Sequence, residues 1–319
     1  MSRSVQWRVL AAFAAIYFIW GSSYLGIRFA LESLPPFAVA GLRMTTAGLL
    51  LYGLTRLNGA RPATRAEWRS ASILGFFMFF VGNGALVWAE LRLSSGLAAT
   101  LYATVPIWMV VLGWLWLRGP RPSTRVFIGL ALGLLGLALM SGAGAGETAP
   151  DGVGIALIMV SAVSWSFGSL LSRRIVMPES AFLGAAMNLF SGGVMLLAAS
   201  LLTGEWAHLN LAMVSAKSVL SVLYLAVGPS VIAFGSYMWL MSNNSPARVS
   251  TYAYVNPVVA VFLGWALNHE ALTPRTLVTS GIIIAGVALI TTARPRTSVA
   301  EVEAPLSTLP APLPAPKTR

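Results

Sequence analysis

SPARVSTYAYVNPVVAVFLGWALNHE, residues Ser245–Glu270, sets Ser250, Thr251, Tyr252, Tyr254 and Asn256 directly ahead of Pro257 in an apolar run of membrane length. From Ala247 to Asn268, about 22 helical residues span roughly 33 Å, enough for the hydrocarbon core of a bilayer. Hydrocarbon offers no partners to hydroxyls and amides, so such a cluster faces protein or a water-filled cavity. Pro257 donates no N–H, and its ring crowds the carbonyl of Ala253. A kink or local unwinding is therefore expected beside the polar groups. Broken helices near the midplane are one way in which membrane proteins build solute sites.

The same stretch occurs earlier. Ser94–Gly119 laid over it by a shift of 151 residues matches Ser94 with Ser245, Thr100 with Thr251, Pro106 with Pro257 and Val110 with Val261. Leu112-Gly113-Trp114 falls on Leu263-Gly264-Trp265. The prolines are in register and the flanking apolar runs repeat in the same order, so the chain is an internal duplication. Its halves are expected at 1–146 and 147–294, followed by a Pro-rich tail, 295–319, too poor in large apolar residues to bury a core.

A chain of 319 residues that is 57% apolar and 10% charged is an all-α membrane protein by composition. Spans are predicted near 9–28, 36–57, 70–90, 95–117, 125–142, 153–173, 180–202, 217–241, 247–268 and 276–293. The first is too long for a signal-peptide core and lacks a convincing cleavage site, so it is expected to remain as a helix. The net charge of +11 is dispersed through loops and forms no nucleic-acid face. Sorting the 21 Lys and Arg residues by loop, with the N-terminus inside, leaves only Arg92, Lys217 and Arg275 outside. Arg28 and Arg43 lie on helices, and all the others fall inside, which predicts N-in and C-in. Five spans per repeat is an odd number, so the halves are inverted. Trp20 then pairs with Trp165, and Arg28 at an outer helix end pairs with Arg173 at an inner one. A solute pathway at the interface of the halves, with alternating access, follows from such a plan.

Several chemistries are missing. Neither lysine, Lys217 or Lys317, lies in a phosphate-loop context. His208 and His269 have no metal-ligand spacing, and with no cysteine there are no disulfides or thiolate sites. No cofactor or metal is expected. A membrane-embedded transferase would need clustered Asp, Glu or His, and the acids here are scattered.

WGSSYLGIRFALESLPPFAVAGLR (Trp20–Arg43), VGNGALVWAE (Val81–Glu90) and the paired proline helices resemble EamA-type permeases of the drug/metabolite transporter superfamily, in particular a YedA-like inner-membrane subgroup. The resemblance covers about residues 8–293. It implies ten helices in two inverted five-helix halves around a central pathway, in a family whose members export amino acids and other small metabolites; the chain itself is expected to act as a monomer. Multidrug efflux is the second expectation. The glutamate that commonly ends the proline helix is Glu270 in the second half, but Gly119 occupies its place in the first.

A cavity lined by helices one, three, four, six, eight and nine is expected. Its substrate-binding candidates are Trp20, Ser23, Tyr24, Asn83, Trp88, Tyr102, Trp165, Tyr237, Tyr252 and Asn256, each with helix packing as the alternative. Pro106 and Pro257 are the candidate hinges. Arg43, Glu90 and Glu270 are the candidates for coupling or carboxylate pairing. Arg43 at depth needs a carboxylate, from solute or from Glu32 or Glu90, unless it reaches the headgroups.

Overall fold

A computed structural model describes residues 3–116, 122–141, 151–243, 249 and 252–292. Ser250, Thr251, Gly119 and the tail lie outside them, as does the Tyr254 side chain. The described residues are helical throughout, with no strand among them. Among the described residues, seven helices are long and apolar enough to cross a membrane: α1 Gln6–Ala30, α2 Pro36–Leu57, α3 Arg65–Glu90, α4 Ser95–Leu115, α6 Gly152–Leu171, α7 Ala181–Leu202 and α8 Ala216–Leu240. Three shorter apolar helices complete the order: α5 Thr124–Ser141, α9 Tyr252–Asn268 and α10 Pro274–Thr291.

Small residues decide the packing. A Cβ on Gly48 of α2 would stand 2.5 Å from the Phe190 backbone of α7, and one on Gly193 would stand 2.4 Å from that of Thr45. These contacts are reciprocal, because the shift that carries Gly48 to Gly193 also carries Thr45 to Phe190. Gly41 meets Leu197 further along, so positions climb on α2 as they fall on α7, and the equivalent helices are antiparallel. The α5/α10 pair behaves alike: Gly136 approaches Ile283, and Gly286 approaches the equivalent Gly133. Close backbone approach through glycine replaces the hydrophobic drive that lipid removes.

Three helices widen to i→i+5 turns in mid-course: α1 at Ala15–Ile19, α3 at Gly75–Asn83 and α8 at Ala226–Ala233. The last two occupy equivalent places in the repeat. Wide turns free carbonyls that cannot stay unpaired in hydrocarbon. Each set is answered from a neighbouring helix. Ser161 and Ser164 of α6 donate to Gly82 O and Phe77 O of α3, both at 2.6 Å. Trp20 Nε1 of α1 donates to Pro229 O of α8 at 3.0 Å. With its amide oriented so that the nitrogen faces α1, the assignment that satisfies both ends, Asn256 of α9 donates to Tyr17 O and Ile16 O at 2.9 and 3.1 Å.

The proline helices differ from expectation. α4 breaks at Ala103–Thr104, and Pro106 sits in the first turn of the segment that restarts at Val105, where its missing N–H costs nothing. α9 runs through Pro257 without a break. The interruptions that matter most near the centre are the wide turns, one of which carries Pro229.

Candidate functional site

A cavity of ≈ 60 Å³ lies between the halves, walled by Trp20, Tyr24, Phe79, Tyr102, Trp165 and Tyr252 among others. Eight helices reach it. The expected set gains α2, through Arg43 and Met44, and α7, through Leu189. The antiparallel glycine contacts bring these two to the middle of the bundle.

Nine of the residues singled out in the sequence border this space: Trp20, Ser23, Tyr24, Arg43, Asn83, Tyr102, Trp165, Tyr252 and Asn256. They do not all present free polar groups. Asn256 is committed to the α1 carbonyls, Trp20 Nε1 to Pro229, and Ser23 Oγ to Trp20 O at 2.7 Å. Asn83, by contrast, has a buried Oδ1 without a partner. Arg43 is 5% exposed and donates through Nε to Ser230 Oγ at 2.9 Å. Ser230 passes the bond on to Leu225 O at 3.0 Å, across the α8 wide turn. Arg43 makes no ion pair among the described residues, and Glu32 pairs instead with Lys217 at 2.6 Å. The guanidinium therefore keeps donors for a solute anion.

The remaining candidates lie elsewhere. Trp88 packs on Phe37, at 5.7 Å between centroids, and does not border the cavity. Tyr237 lies 5.2 Å from Trp20 and 6.2 Å from Trp165, and its far side lines a second cavity. Glu90 has no exposed surface, and neither carboxylate oxygen has a partner. Arg28 donates only to its backbone carbonyl, at 2.5 Å. Glu270 closes the start of α4, accepting from Ser95 N at 3.1 Å, Ser95 Oγ at 2.8 Å and Gly96 N at 3.3 Å. It is a helix-end contact between the halves. Glu205 does the same for α2, accepting from Phe37 N and Ala38 N at 3.0 and 2.9 Å.

Phe79, Pro229, Ser230 and Phe234 were not picked out in the sequence, though all four line the cavity. Gly228-Pro229-Ser230 inside an apolar run was the available signal for two of them. The rings form one layer. Trp165 meets Trp20 edge-on at 6.2 Å and 87°, and Phe234 stacks on Tyr237.

Comparison with known proteins gives a consistent result. The model of the EamA-like transporter family matches twice, over residues 6–142 and 152–292. The chain is 37% identical over 284 residues to the "Uncharacterized inner membrane transporter YedA" of Escherichia coli (strain K12), covering 89% of this chain and 90% of that protein. It is 26% identical over 295 residues to the "Uncharacterized transporter YvbV" of Bacillus subtilis (strain 168), covering 92% and 94%. A solved crystal structure superposes with a TM-score of 0.63 at 21% identity, over 90% of this chain and 96% of that one, which speaks for the fold alone.

Proposed function

Because the chain belongs to the EamA-like transporter family, we propose that it is a secondary transporter exporting small organic solutes, amino acids foremost, by alternating access. The family and these relatives are transporters and not enzymes. In this reading all ten helices cross an inner membrane with both termini cytoplasmic, and the halves 1–146 and 147–294 are inverted repeats. The charge distribution and the antiparallel α2/α7 and α5/α10 pairs support this topology. The chain acts as a monomer in contact with lipid and a small-molecule solute.

The carrying observation is Arg43, buried beside an aromatic-walled cavity with no carboxylate at ion-pair distance among the described residues, Glu90 interacting with it only from farther off. A buried guanidinium is costly unless it pairs. A solute carboxylate supplies that charge, and the rings of Trp20, Tyr24 and Tyr102 hold its apolar part. Glu90 is the carboxyl placed to carry a coupling proton, and the charged groups that face it are Glu270, Arg28 and Arg43. Pro106 and the wide turns are where the helices bend. The aromatic walls also suit an amphipathic drug, but Arg43 opposes a cationic one.

Counterflow of labelled amino acids in proteoliposomes tests this. Arg43→Gln should lower carboxylate-solute transport at least about tenfold, the value of roughly one charge-assisted bond. Unchanged transport by a normally melting Arg43→Gln protein would remove the carboxylate from the reading.

A further inference from the structure

A second cavity of ≈ 250 Å³ opens beyond the aromatic layer. Five of its twelve lining residues are repeat equivalents of residues that line the first. Ser169 occupies the place of Tyr24, Ser172 that of Ile27, and Asn188 that of Arg43, all under the shift that relates Trp20 to Trp165. Tyr237 and Met78 likewise stand for Leu86 and Pro229 under the shift of the proline helices. Partly equivalent positions of the two halves thus line both cavities.

Asn188 sets this cavity apart from a mere gap. It is fully buried, and neither its Nδ2 nor its Oδ1 has a partner among the described residues. An amide left so is expensive in a protein interior and is explained by a polar ligand that arrives. Arg173 and Glu179 line the same space, and neither makes an ion pair among the described residues. One cationic group, one anionic group and a two-faced amide match a molecule carrying both charges.

We propose that this cavity is a second solute subsite, taking a small zwitterion with a carboxylate and an ammonium group, and that Asn188 anchors it. The proposal rests on the transport reading above and deepens it. Solute held at Arg43 passes the aromatic layer and is received at the repeat-equivalent position, with Arg173 facing the carboxylate and Glu179 the ammonium.

The chain has no cysteine, so single-cysteine reporters can be placed directly. Ser23→Cys reports the first cavity and Ser172→Cys the second. In lipid nanodiscs, the rate of labelling by a charged thiol reagent is read with each standard L-amino acid in turn and with glycerol as a neutral control. At least one amino acid should slow labelling at both reporters about tenfold or more. Asn188→Leu should abolish the protection at Ser172→Cys, keep it at Ser23→Cys, and melt no lower than its parent because an unpaired amide has been removed. Protection at Ser23→Cys alone overturns the subsite and leaves the transport reading standing. Protection at neither overturns both. Protection at Ser172→Cys that survives Asn188→Leu overturns the anchor.

Discussion

Replacing Glu270 separates a structural carboxylate from a coupling one. α9 ends at Asn268, and His269 takes a left-handed conformation at φ 53°, which turns the chain back so that Glu270 N donates to Gly264 O at 3.1 Å. This closure over six residues aims the carboxylate across the interface between halves at Ser95 N, Ser95 Oγ and Gly96 N. Ser95 is fully buried, so these donors lose their acceptor in Glu270→Ala with no ready access to water. Bonds to a charged acceptor are worth about 1.5–3 kcal/mol each, but they share one carboxylate and do not add. Ser94 Oγ still caps Leu97 N. A net loss of about 3 kcal/mol is expected for Ala and about 1 for Gln, which keeps one acceptor oxygen. At about 2–4 °C per kcal/mol, the Ala variant should melt roughly 6–12 °C lower. Tryptophan fluorescence during a melt in detergent reads this, and proteoliposome transport at several pH values runs in parallel. The pH profile should keep its shape in Glu270→Gln. A Glu270→Ala protein that melts like its parent but transports without pH dependence would refute the argument.

In α2, Gly48→Ala drives a Cβ to 2.5 Å from the Phe190 backbone, whereas Gly53 of the same helix has nothing within 4 Å. Gly48→Ala should destabilise by about 1–3 kcal/mol, while Gly53→Ala should be neutral or stabilising by up to about 1, read in the same melts. Trp20→Phe keeps a ring in the aromatic layer but strands Pro229 O, so a loss of about 1 kcal/mol and slower counterflow are expected. Asp151 accepts from Gly154 N at 2.9 Å and pairs with Arg92 at 3.0 Å, which together hold its carboxyl below the ordinary aspartate value. A depressed folded-state value stabilises above the unfolded value and is lost as pH falls through the folded one. Asp151→Asn should therefore reduce the drop in melting temperature between neutral and acid pH.

The duplication was legible because it rests on residue types that tolerate little change where helices cross. Prolines, tryptophans and glycines held in register carried the order of the helices, and the aromatics beside them carried most of the cavity wall. The wide turns were not legible. An i→i+5 turn such as Gly75–Asn83 needs no particular residue, and only Pro229 marks one of them. Their absence from the sequence reading explains why Asn256 looked free for solute, since the carbonyls that occupy it exist only once α1 widens. α2 and α7 were left out of the cavity because their lining is ordinary in type, apart from Arg43. The glycines at positions 41, 48 and 193 were the signal, since small residues at such spacing mark a helix at the centre of a bundle. Trp88 misled for the opposite reason: a large ring at depth meets protein on any side, and here it meets Phe37.

A residue and its repeat equivalent can touch only if both lie near the axis that relates the halves. Trp20 and Trp165 touch, at 6.2 Å, and so do the glycine-linked pairs α2/α7 and α5/α10. The axis relating the halves therefore passes near the tryptophan pair, while Arg43 lines one cavity and Asn188 the other. Any motion that exchanges the roles of the halves leaves the axis in place and exchanges the surroundings of these two rings. Trp20 is tied to the α8 wide turn through Pro229, whereas Ser164, beside Trp165, is tied to the α3 wide turn through Phe77. One side is thus held by an indole N–H and the other by a hydroxyl, to carbonyls at nearly equivalent places. Under the proposed alternating access, the two states would differ by which wide turn is drawn toward the axis, and the unequal donors would bias which state is at rest.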